Sequence, residues 1–136
     1  MNIYREHILD HYQNPRNYGR LSSPSATADE SNPVCGDQVH VEVGIRNGVV
    51  DEMRFEGGGC AISMAAASIL SELIRGKTAV DPALPTDAEM LAEIAVPLSP
   101  TRTKCGLLAL SGARKAVRQY TETDAGHETN QPRRTR

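Results

Sequence analysis

The chain has 136 residues, the usual length of one domain, and 39% of them are hydrophobic, which is enough for a sizeable core. The formal net charge of −2 argues against a protein that binds nucleic acid by neutralising phosphates. No apolar run reaches the roughly 18 residues of a membrane span, and the charged N-terminus does not resemble a signal peptide. We therefore expect a cytoplasmic protein that binds neither nucleic acid nor a membrane.

The N-terminal segment predicts a short helix followed by a loop. Over residues 3–13, Ile3, Ile8 and Tyr12 recur on one side of a helix. The motif NPRNYG ends this helix, because proline and glycine are helix breakers. Residues 20–34 are rich in Ser, Pro and Asp, and we expect a loop there that can include a short edge strand.

Residues 38–55 carry the clearest local pattern, that of a β-hairpin. From Val39 to Ile45 the odd-numbered residues are apolar and the even-numbered ones are polar or glycine, so one face of a strand is apolar. Asn47-Gly48 is the residue pair that favours a type I′ turn. Since an isolated hairpin is only marginally stable, helices must cover its apolar face.

The second half of the chain predicts three helices. The first covers residues 61–75, and Gly76 is suited to end it. Thr86–Glu89 matches a capping box that starts a second helix, which runs to about Val96. The last helix covers about 105–120 and follows a loop with two prolines.

This order of elements predicts an α+β fold. We expect a small antiparallel sheet of about three strands, with the helices packed on one face. Residues 121–136 lack apolar periodicity, which predicts a disordered tail. The domain is therefore expected to span residues 1–120.

The three cysteines lie at predicted junctions between elements. Cys35 precedes the first hairpin strand, Cys60 opens a helix after Gly57–Gly59, and Cys105 opens the last helix. Helix N-termini favour anions and lower the pKa of a thiol, and glycines let backbone approach a site closely. Disulfides are unusual in a reducing compartment. The alternative is that the cysteines are small buried core residues, because free cysteine packs well in protein cores.

A metal site would have to be assembled from distant loops, because no two cysteines form a CxxC pair. Asp37 follows Cys35 by two residues and lies on the same side of an extended segment. Three thiolates and one carboxylate suit tetrahedral zinc, although Asp37 could instead be a turn residue. His7 and His11 have helical metal-binding spacing, but no supporting ligand pattern surrounds them, and we expect them to be exposed.

Four motifs, YREHILDHYQNPRNYG, NPVCGD, GGGCAISMAAASIL and RTKC, together resemble the family of IscU, SufU and the N-terminal domain of NifU over about residues 3–120. The resemblance implies an iron–sulfur cluster assembly protein that receives sulfur from a cysteine desulfurase. It also implies that the metal ligands are Cys35, Asp37, Cys60 and Cys105.

The residue before the last cysteine separates two branches of this family. IscU-like scaffolds have a histidine there, whereas Lys104 is similar to the SufU-like branch, which binds zinc through three cysteines and an aspartate. In that branch the last cysteine accepts sulfur, which implies that role for Cys105. Arg102 and Lys104 are then expected to contact a SufS-like desulfurase.

The resemblance leaves three functions open. The first is a zinc-dependent sulfurtransferase of SufU type that supplies downstream assembly or acceptor proteins. The second is an IscU-type scaffold, on which iron and sulfur form a [2Fe–2S] cluster for transfer to apo-proteins. The short segment between Cys60 and Cys105 is closer to IscU length. The third is a purely structural zinc ion, which we rank last because the predicted elements can form a core without it.

Overall fold

The computed structural model describes residues 3–34, 36–80 and 83–127. In chain order the elements are α1 (Ile3–Gln13), β1 (Ala26–Asn32), β2 (Asp37–Arg46), β3 (Val49–Gly58), α2 (Ala61–Leu73), α3 (Asp87–Ile94) and α4 (Pro100–His127). The strands of the described part form one antiparallel sheet in the order β1-β2-β3. The predicted α+β fold is confirmed. Within the same residues, no helix is both long and apolar enough to cross a membrane.

The core lies between the sheet and two helices, with α2 packed against β3 and α4 packed against β1 and β2. The odd-numbered residues of Val39–Ile45 are all buried, as the alternating pattern predicts. Gly112 brings α4 close to the sheet, because a Cβ at this position would lie 3.1 Å from Val41 Cγ2. A glycine inside a helix costs about 1 kcal/mol relative to alanine, so this close packing offsets a local penalty.

The hairpin turn has the predicted geometry. Asn47 and Gly48 have φ angles of 56° and 76°, and two positive φ angles in succession are what a type I′ turn requires. The return strand β3 continues to Gly58, three residues beyond the predicted end at Phe55. This extension brings the end of β3 next to Gln38, near the start of β2.

The last helix is longer than predicted at both ends. It begins at Pro100, because Ser99 Oγ accepts a hydrogen bond from Arg102 N at 3.2 Å and proline suits the first position of a helix. It also continues past residue 120 to His127, through residues expected to belong to the tail. The other residues of the predicted tail, 128–136, lie outside the described residues.

The N-terminal helix has the predicted bounds but a different buried face. Ile8 is buried, whereas Ile3 and Tyr12 are 65% and 44% exposed, so the predicted apolar side is wrong. His11 is buried instead, and its Nδ1 lies 2.7 Å from Ser68 Oγ on α2. The expectation of an exposed His11 is therefore wrong, because a hydroxyl far away in sequence satisfies its ring.

The predicted capping box of α3 is confirmed. Thr86 Oγ1 accepts from Glu89 N at 3.0 Å, and Glu89 Oε1 accepts from Thr86 N at 2.8 Å. The helix ends at Ile94 because Ala95 adopts a left-handed conformation with a φ of 66°. This end fixes the path of the loop that leads into α4.

Candidate metal site

Asp37 is the first residue of β2 and is 1% exposed. It lies on the same face of the strand as Val39, which is the face that the helices cover. The alternative interpretation of Asp37 as a turn residue is therefore wrong, because it pairs with Asn32 in the sheet. A buried carboxylate needs hydrogen-bond partners, and α2 supplies the first of them.

Cys60 is the N-cap residue of α2, which confirms the prediction that it opens this helix. Its Sγ accepts a hydrogen bond from Ser63 N at 3.4 Å, so the thiol lies over the first turn of the helix. Its own N–H donates to Asp37 Oδ1 at 3.0 Å, and its thiol lies 3.6 Å from Asp37 Oδ2. The N-cap position thus joins α2 to the start of β2.

Cys105 is buried inside α4, and its predicted position at the helix N-terminus is wrong. The helix begins at Pro100, so Cys105 is its sixth residue and lies beyond the first-turn N–H groups that favour an anion. It is 1% exposed, and its thiol donates a hydrogen bond to Asp37. The contact with Asp37, rather than the helix dipole, sets its environment.

Asp37, Cys60 and Cys105 converge on one point. One carboxylate oxygen and the two sulfurs all lie within 4.8 Å of one another, although the residues belong to three elements. Ligands of a tetrahedral zinc ion lie about 3.5–4 Å apart, since Zn–S bonds are about 2.3 Å long. The three ligand atoms would therefore need to move only slightly closer together to hold a zinc ion. The three residues leave one tetrahedral position for a further ligand.

The predicted fourth ligand, Cys35, lies outside the described residues. The backbone on either side of it is held by Asn32, whose Oδ1 accepts from Val34 N at 3.2 Å and whose carbonyl accepts from Gly36 N at 2.8 Å. The ligand role of Cys35 stays a prediction.

The carboxyl group of Asp37 is held in its charged form. Burial acts to raise its pKa, but hydrogen bonds from the Cys105 thiol, from the N–H and thiol of Cys60 and from Ser63 outweigh burial and lower it. Asp37 is therefore an anion that accepts from both cysteines. A carboxylate with thiols on two sides is suited to share a cation with them.

Of the three glycines before Cys60, Gly59 makes the close approach to this site. A Cβ on Gly59 would lie 2.5 Å from Asp37 Oδ1 and 2.9 Å from Ser63 Oγ, and the φ of 157° also disfavours a side chain. Gly57 instead packs against β2, where its Cβ would lie 2.2 Å from Gln38 O. Among the described residues, a Cβ on Gly58 would meet no atom within 4 Å. The expectation that all three glycines serve the site is therefore wrong.

Asn32 is a residue of the site region that sequence reasoning missed. The residue is 8% exposed, and within the described part of the chain its Nδ2 is a buried donor with no acceptor. Leaving such a donor unpaired costs about 1–3 kcal/mol. The signal available in the sequence is an asparagine directly before a proline, which is a turn-forming pair.

The predicted partner-contact residues lie on the surface beside the site. Arg102 and Lys104 are both exposed on the first turns of α4. Arg102 also lines a cleft of 520 Å³ together with Arg5 and apolar residues that include Ile8 and Leu98. Their contact with a desulfurase stays a prediction.

The histidines lie away from the metal site. His40 points away from the core as the alternating pattern predicts, with its Nδ1 2.8 Å from Asp29 Oδ1 and its Nε2 2.8 Å from Glu42 Oε2. The ring of His7 makes an edge contact with the ring of His11. In the residues the structure describes, no histidine joins Asp37 and the cysteines in a metal-binding cluster.

Comparison with known protein families identifies the chain. Its sequence matches the model of the NifU-like N terminal domain over residues 3–126, which is nearly the whole chain. The protein belongs to this family of iron–sulfur cluster assembly proteins. The resemblance carried by the four sequence motifs is confirmed.

Two relatives represent the two branches of the family. The zinc-dependent sulfurtransferase SufU of Bacillus subtilis (strain 168) is 45% identical over 75 residues, which are 55% of this chain and half the length of that relative. The iron–sulfur cluster assembly scaffold protein IscU 1 of Archaeoglobus fulgidus is 30% identical over 118 residues, which are 87% of this chain and 76% of that relative.

Solved structures share the fold. The N-terminal NifU-like protein of Brucella abortus has a TM-score of 0.68 and 26% identity, over 88% of this chain and 95% of that one. A protein of Fervidobacterium islandicum AW-1, described as a candidate cluster assembly scaffold of the SUF system, has a TM-score of 0.70. Its identity is 24%, over 82% of this chain and 94% of that one, so it supports the fold alone.

Proposed function

We propose that this protein is a zinc-dependent sulfurtransferase that accepts sulfur from a cysteine desulfurase on Cys105. The observation that carries the proposal is the convergence of Asp37, Cys60 and Cys105 within 4.8 Å. Cys35 completes the proposed ligand set. The protein would pass its sulfur to downstream assembly or acceptor proteins in the cytoplasm.

Three observations favour zinc over a cluster as the resident group. The donor set is one carboxylate with thiols, which suits tetrahedral zinc, whereas clusters are usually held by thiolates alone. Lys104, directly before the last cysteine, has an exposed ammonium side chain that offers no ligand atom in its charged form. The relative from B. subtilis, at 45% identity, is itself named zinc-dependent.

The proposed chemistry is thiol exchange on a persulfide. Zinc, when bound, would hold its cysteine ligands as thiolates. The Cys105 thiolate attacks the terminal sulfur of the desulfurase persulfide, the sulfur–sulfur bond breaks, and the desulfurase cysteine leaves as a thiolate. A persulfide then stands on Cys105, so sulfur and charge balance without an external oxidant.

Cys105 must become accessible before it can react. It is 1% exposed, whereas Cys60 is half-buried at the N-cap of α2. The hydrogen bonds to Ser99 hold the first turn of α4 in place. We propose that the desulfurase contacts Arg102 and Lys104 on this turn and displaces it, which uncovers the thiol.

The proposal is tested by sulfur acceptance in cysteine variants. Purified protein is incubated with a desulfurase and cysteine, and persulfide is counted by mass spectrometry. Cys105→Ser is expected to lose acceptance, whereas Cys60→Ser is expected to bind zinc weakly and to accept sulfur more slowly, but still on Cys105. If Cys105→Ser accepts sulfur as well as the wild type does, the assignment of the acceptor is wrong.

A second candidate function is a scaffold for [2Fe–2S] clusters. One observation favours it: the match to the A. fulgidus IscU covers 87% of this chain, whereas the match to the B. subtilis SufU covers 55%. In this second function, iron and sulfide are cargo that the same ligands hold until transfer. Anaerobic reconstitution with zinc present separates the two functions, because a cluster that forms and moves to an apo-protein supports the scaffold.

A further inference from the structure

The two polar atoms of the Asn32 side chain differ in their hydrogen bonding. Its Oδ1 accepts a hydrogen bond from Val34 N at 3.2 Å, which fixes the loop after β1. This contact also fixes the orientation of the amide, because the atom that faces an N–H must be the oxygen. The nitrogen Nδ2 is therefore the buried atom with no acceptor in the described part of the chain. A donor in that state indicates a binding partner that the protein atoms do not supply.

The sheet register places Asn32 at the metal site. Asn32 and Asp37 are direct partners in the antiparallel pairing of β1 and β2, so their side chains lie on the same face. Helix α4 runs along β1, with Lys115 Nζ 3.0 Å from Asp29 O and Ser111 Oγ 2.7 Å from Glu30 Oε2. Asn32 lies further along this face of the strand, and the thiol of Cys105 hydrogen-bonds to Asp37, the direct partner of Asn32 in the sheet.

Two other N–H groups at the site already have acceptors. Cys60 N donates to Asp37, and Ser63 N donates to Cys60 Sγ. Asp37 is an anion, so a second anion beside it needs donors that are still unpaired. Sulfur delivered to Cys105 is such an anion, because a persulfide is more acidic than a thiol and is ionised at neutral pH.

We propose that Asn32 Nδ2 donates a hydrogen bond to the anionic sulfur of the Cys105 persulfide and so stabilises the sulfur-loaded state. This inference rests on the proposed sulfurtransferase function. Asn32 binds the cargo rather than the metal, since its nitrogen has no lone pair to offer. The same side chain holds the loop beside Cys35, so cargo and loop position are coupled through one residue.

The test replaces the donor and keeps the acceptor. Asn32→Asp has the same shape and can still accept from Val34 N, but it has no N–H. Wild type and variant are first loaded with sulfur by a desulfurase and cysteine, freed of cysteine, and then equilibrated with glutathione in the presence of the desulfurase, so that the sulfur is partitioned between Cys105 and glutathione. The fraction of Cys105 that carries an added sulfur is measured by mass spectrometry of the intact protein and its peptides.

Asn32→Asp is expected to shift the partition toward glutathione by more than about tenfold, because it removes a charge-assisted hydrogen bond and adds a carboxylate beside the sulfur. Asn32→Ser removes the amide donor without adding a charge, and it is expected to keep a shift of about tenfold that is due to the hydrogen bond. The melting temperature gives a second readout. Sulfur loading is expected to raise it in the wild type, because the loaded sulfur satisfies the buried donor, but not in Asn32→Asp. Ser31→Ala is the matched control, because Ser31 is exposed on the other face of the same strand.

Two results overturn the inference. If wild type and Asn32→Asp load Cys105 to the same extent with equal shifts in melting temperature, Asn32 does not bind the cargo, while the sulfurtransferase function stands. If Cys105 of the wild type takes no sulfur, the inference and the proposed function both fail. Should Asn32→Asp not fold, Asn32→Ser decides by the same criteria, because its hydroxyl is too short to reach the position of the amide nitrogen.

Discussion

Two buried carboxylates on β2 show how different partners give one chemical group different roles. Asp37 and Glu42 are 1% and 4% exposed, and they lie on opposite faces of the strand. In both, burial acts to raise the pKa and hydrogen bonds overcome it, so both are charged. Asp37 accepts from two thiols, whereas Glu42 accepts from His40 and from Leu21 N and lies near Arg20.

The difference is whether the partners can be exchanged. The partners of Glu42 are a histidine, an arginine and a backbone N–H, and their contacts with it serve to hold neighbouring segments together. The partners of Asp37 are thiols that can bind metal and accept sulfur. We infer that Glu42 stabilises the fold, while Asp37 serves a site whose occupant changes.

The largest expected effects come from exchanging the two carboxylates for amides. Asp37→Asn is expected to weaken zinc binding by more than the roughly 100-fold that loss of an outer-shell partner can cost. Glu42→Gln is expected to lower the free energy of unfolding by about 2 kcal/mol, because it removes one partner of a buried ion pair. Zinc affinity by chelator competition and urea unfolding are measured for both. If Glu42→Gln also lost zinc binding, the inferred difference in role between Asp37 and Glu42 would be wrong.

A methyl group next to Asp37 tests the geometry of that side. In Gly59→Ala the new Cβ would lie 2.5 Å from the present position of Asp37 Oδ1, so the carboxylate must move. We expect zinc affinity to fall about 10- to 100-fold, as it does when a ligand loses its orientation. Gly58→Ala is the matched control, since its Cβ would meet none of the described atoms within 4 Å. Equal zinc affinities in the two variants would contradict a role for the close approach of Gly59 to Asp37.

The Glu42 side predicts a pH dependence of stability. The hydrogen bond to Glu42 raises the pKa of His40, burial opposes it, and Asp29 adds to the rise. Because the folded pKa lies above the unfolded value of about 6.5, this stabilisation is complete below pH 6.5 and is lost as pH rises through the folded pKa. We expect His40→Gln to cost about 1 kcal/mol at pH 6 and less at pH 9. Urea unfolding at the two pH values measures the difference, and a cost that does not change with pH would exclude a charged His40.

The smallest expected effect concerns the access of reagents to the thiol of Cys105. Ser99→Ala removes the cap of α4 and is expected to cost about 1 kcal/mol and to speed alkylation of Cys105 several-fold. Thr86→Ala removes the cap of α3 at a similar cost but leaves the first turn of α4 intact, so it controls for lost stability. If both variants speed alkylation equally, opening of the first turn of α4 is not what exposes Cys105.

Local patterns predict the parts of the fold that depend on neighbouring residues. The alternation from Val39 to Ile45, the Asn47-Gly48 turn and the Thr86–Glu89 capping box all depend on short-range geometry, and the structure has each of them. The position of Cys60 is predictable for the same reason, because a glycine run followed by a helical pattern marks a helix N-terminus.

The errors arise where distant residues decide the outcome. The alternating pattern implies that Glu42 faces solvent, but the segment before β1 covers it through Leu21 N. His11 is buried because Ser68, 57 residues away, receives it. The predicted start of α4 is wrong for a local reason. Two prolines close together favour a loop, but Ser99-Pro100 is also a signal for the start of a helix, and α4 begins there.

We propose that sulfur is accepted at Cys105, within a site that Asp37 and Cys60 complete. The most direct measurement is peptide mapping of zinc-loaded wild-type protein after incubation with a desulfurase and cysteine. We predict an added sulfur atom on the peptide that contains Cys105 and on neither of the other cysteines. An added sulfur on Cys60 or Cys35, with Cys105 unmodified, would show that Cys105 is not the acceptor.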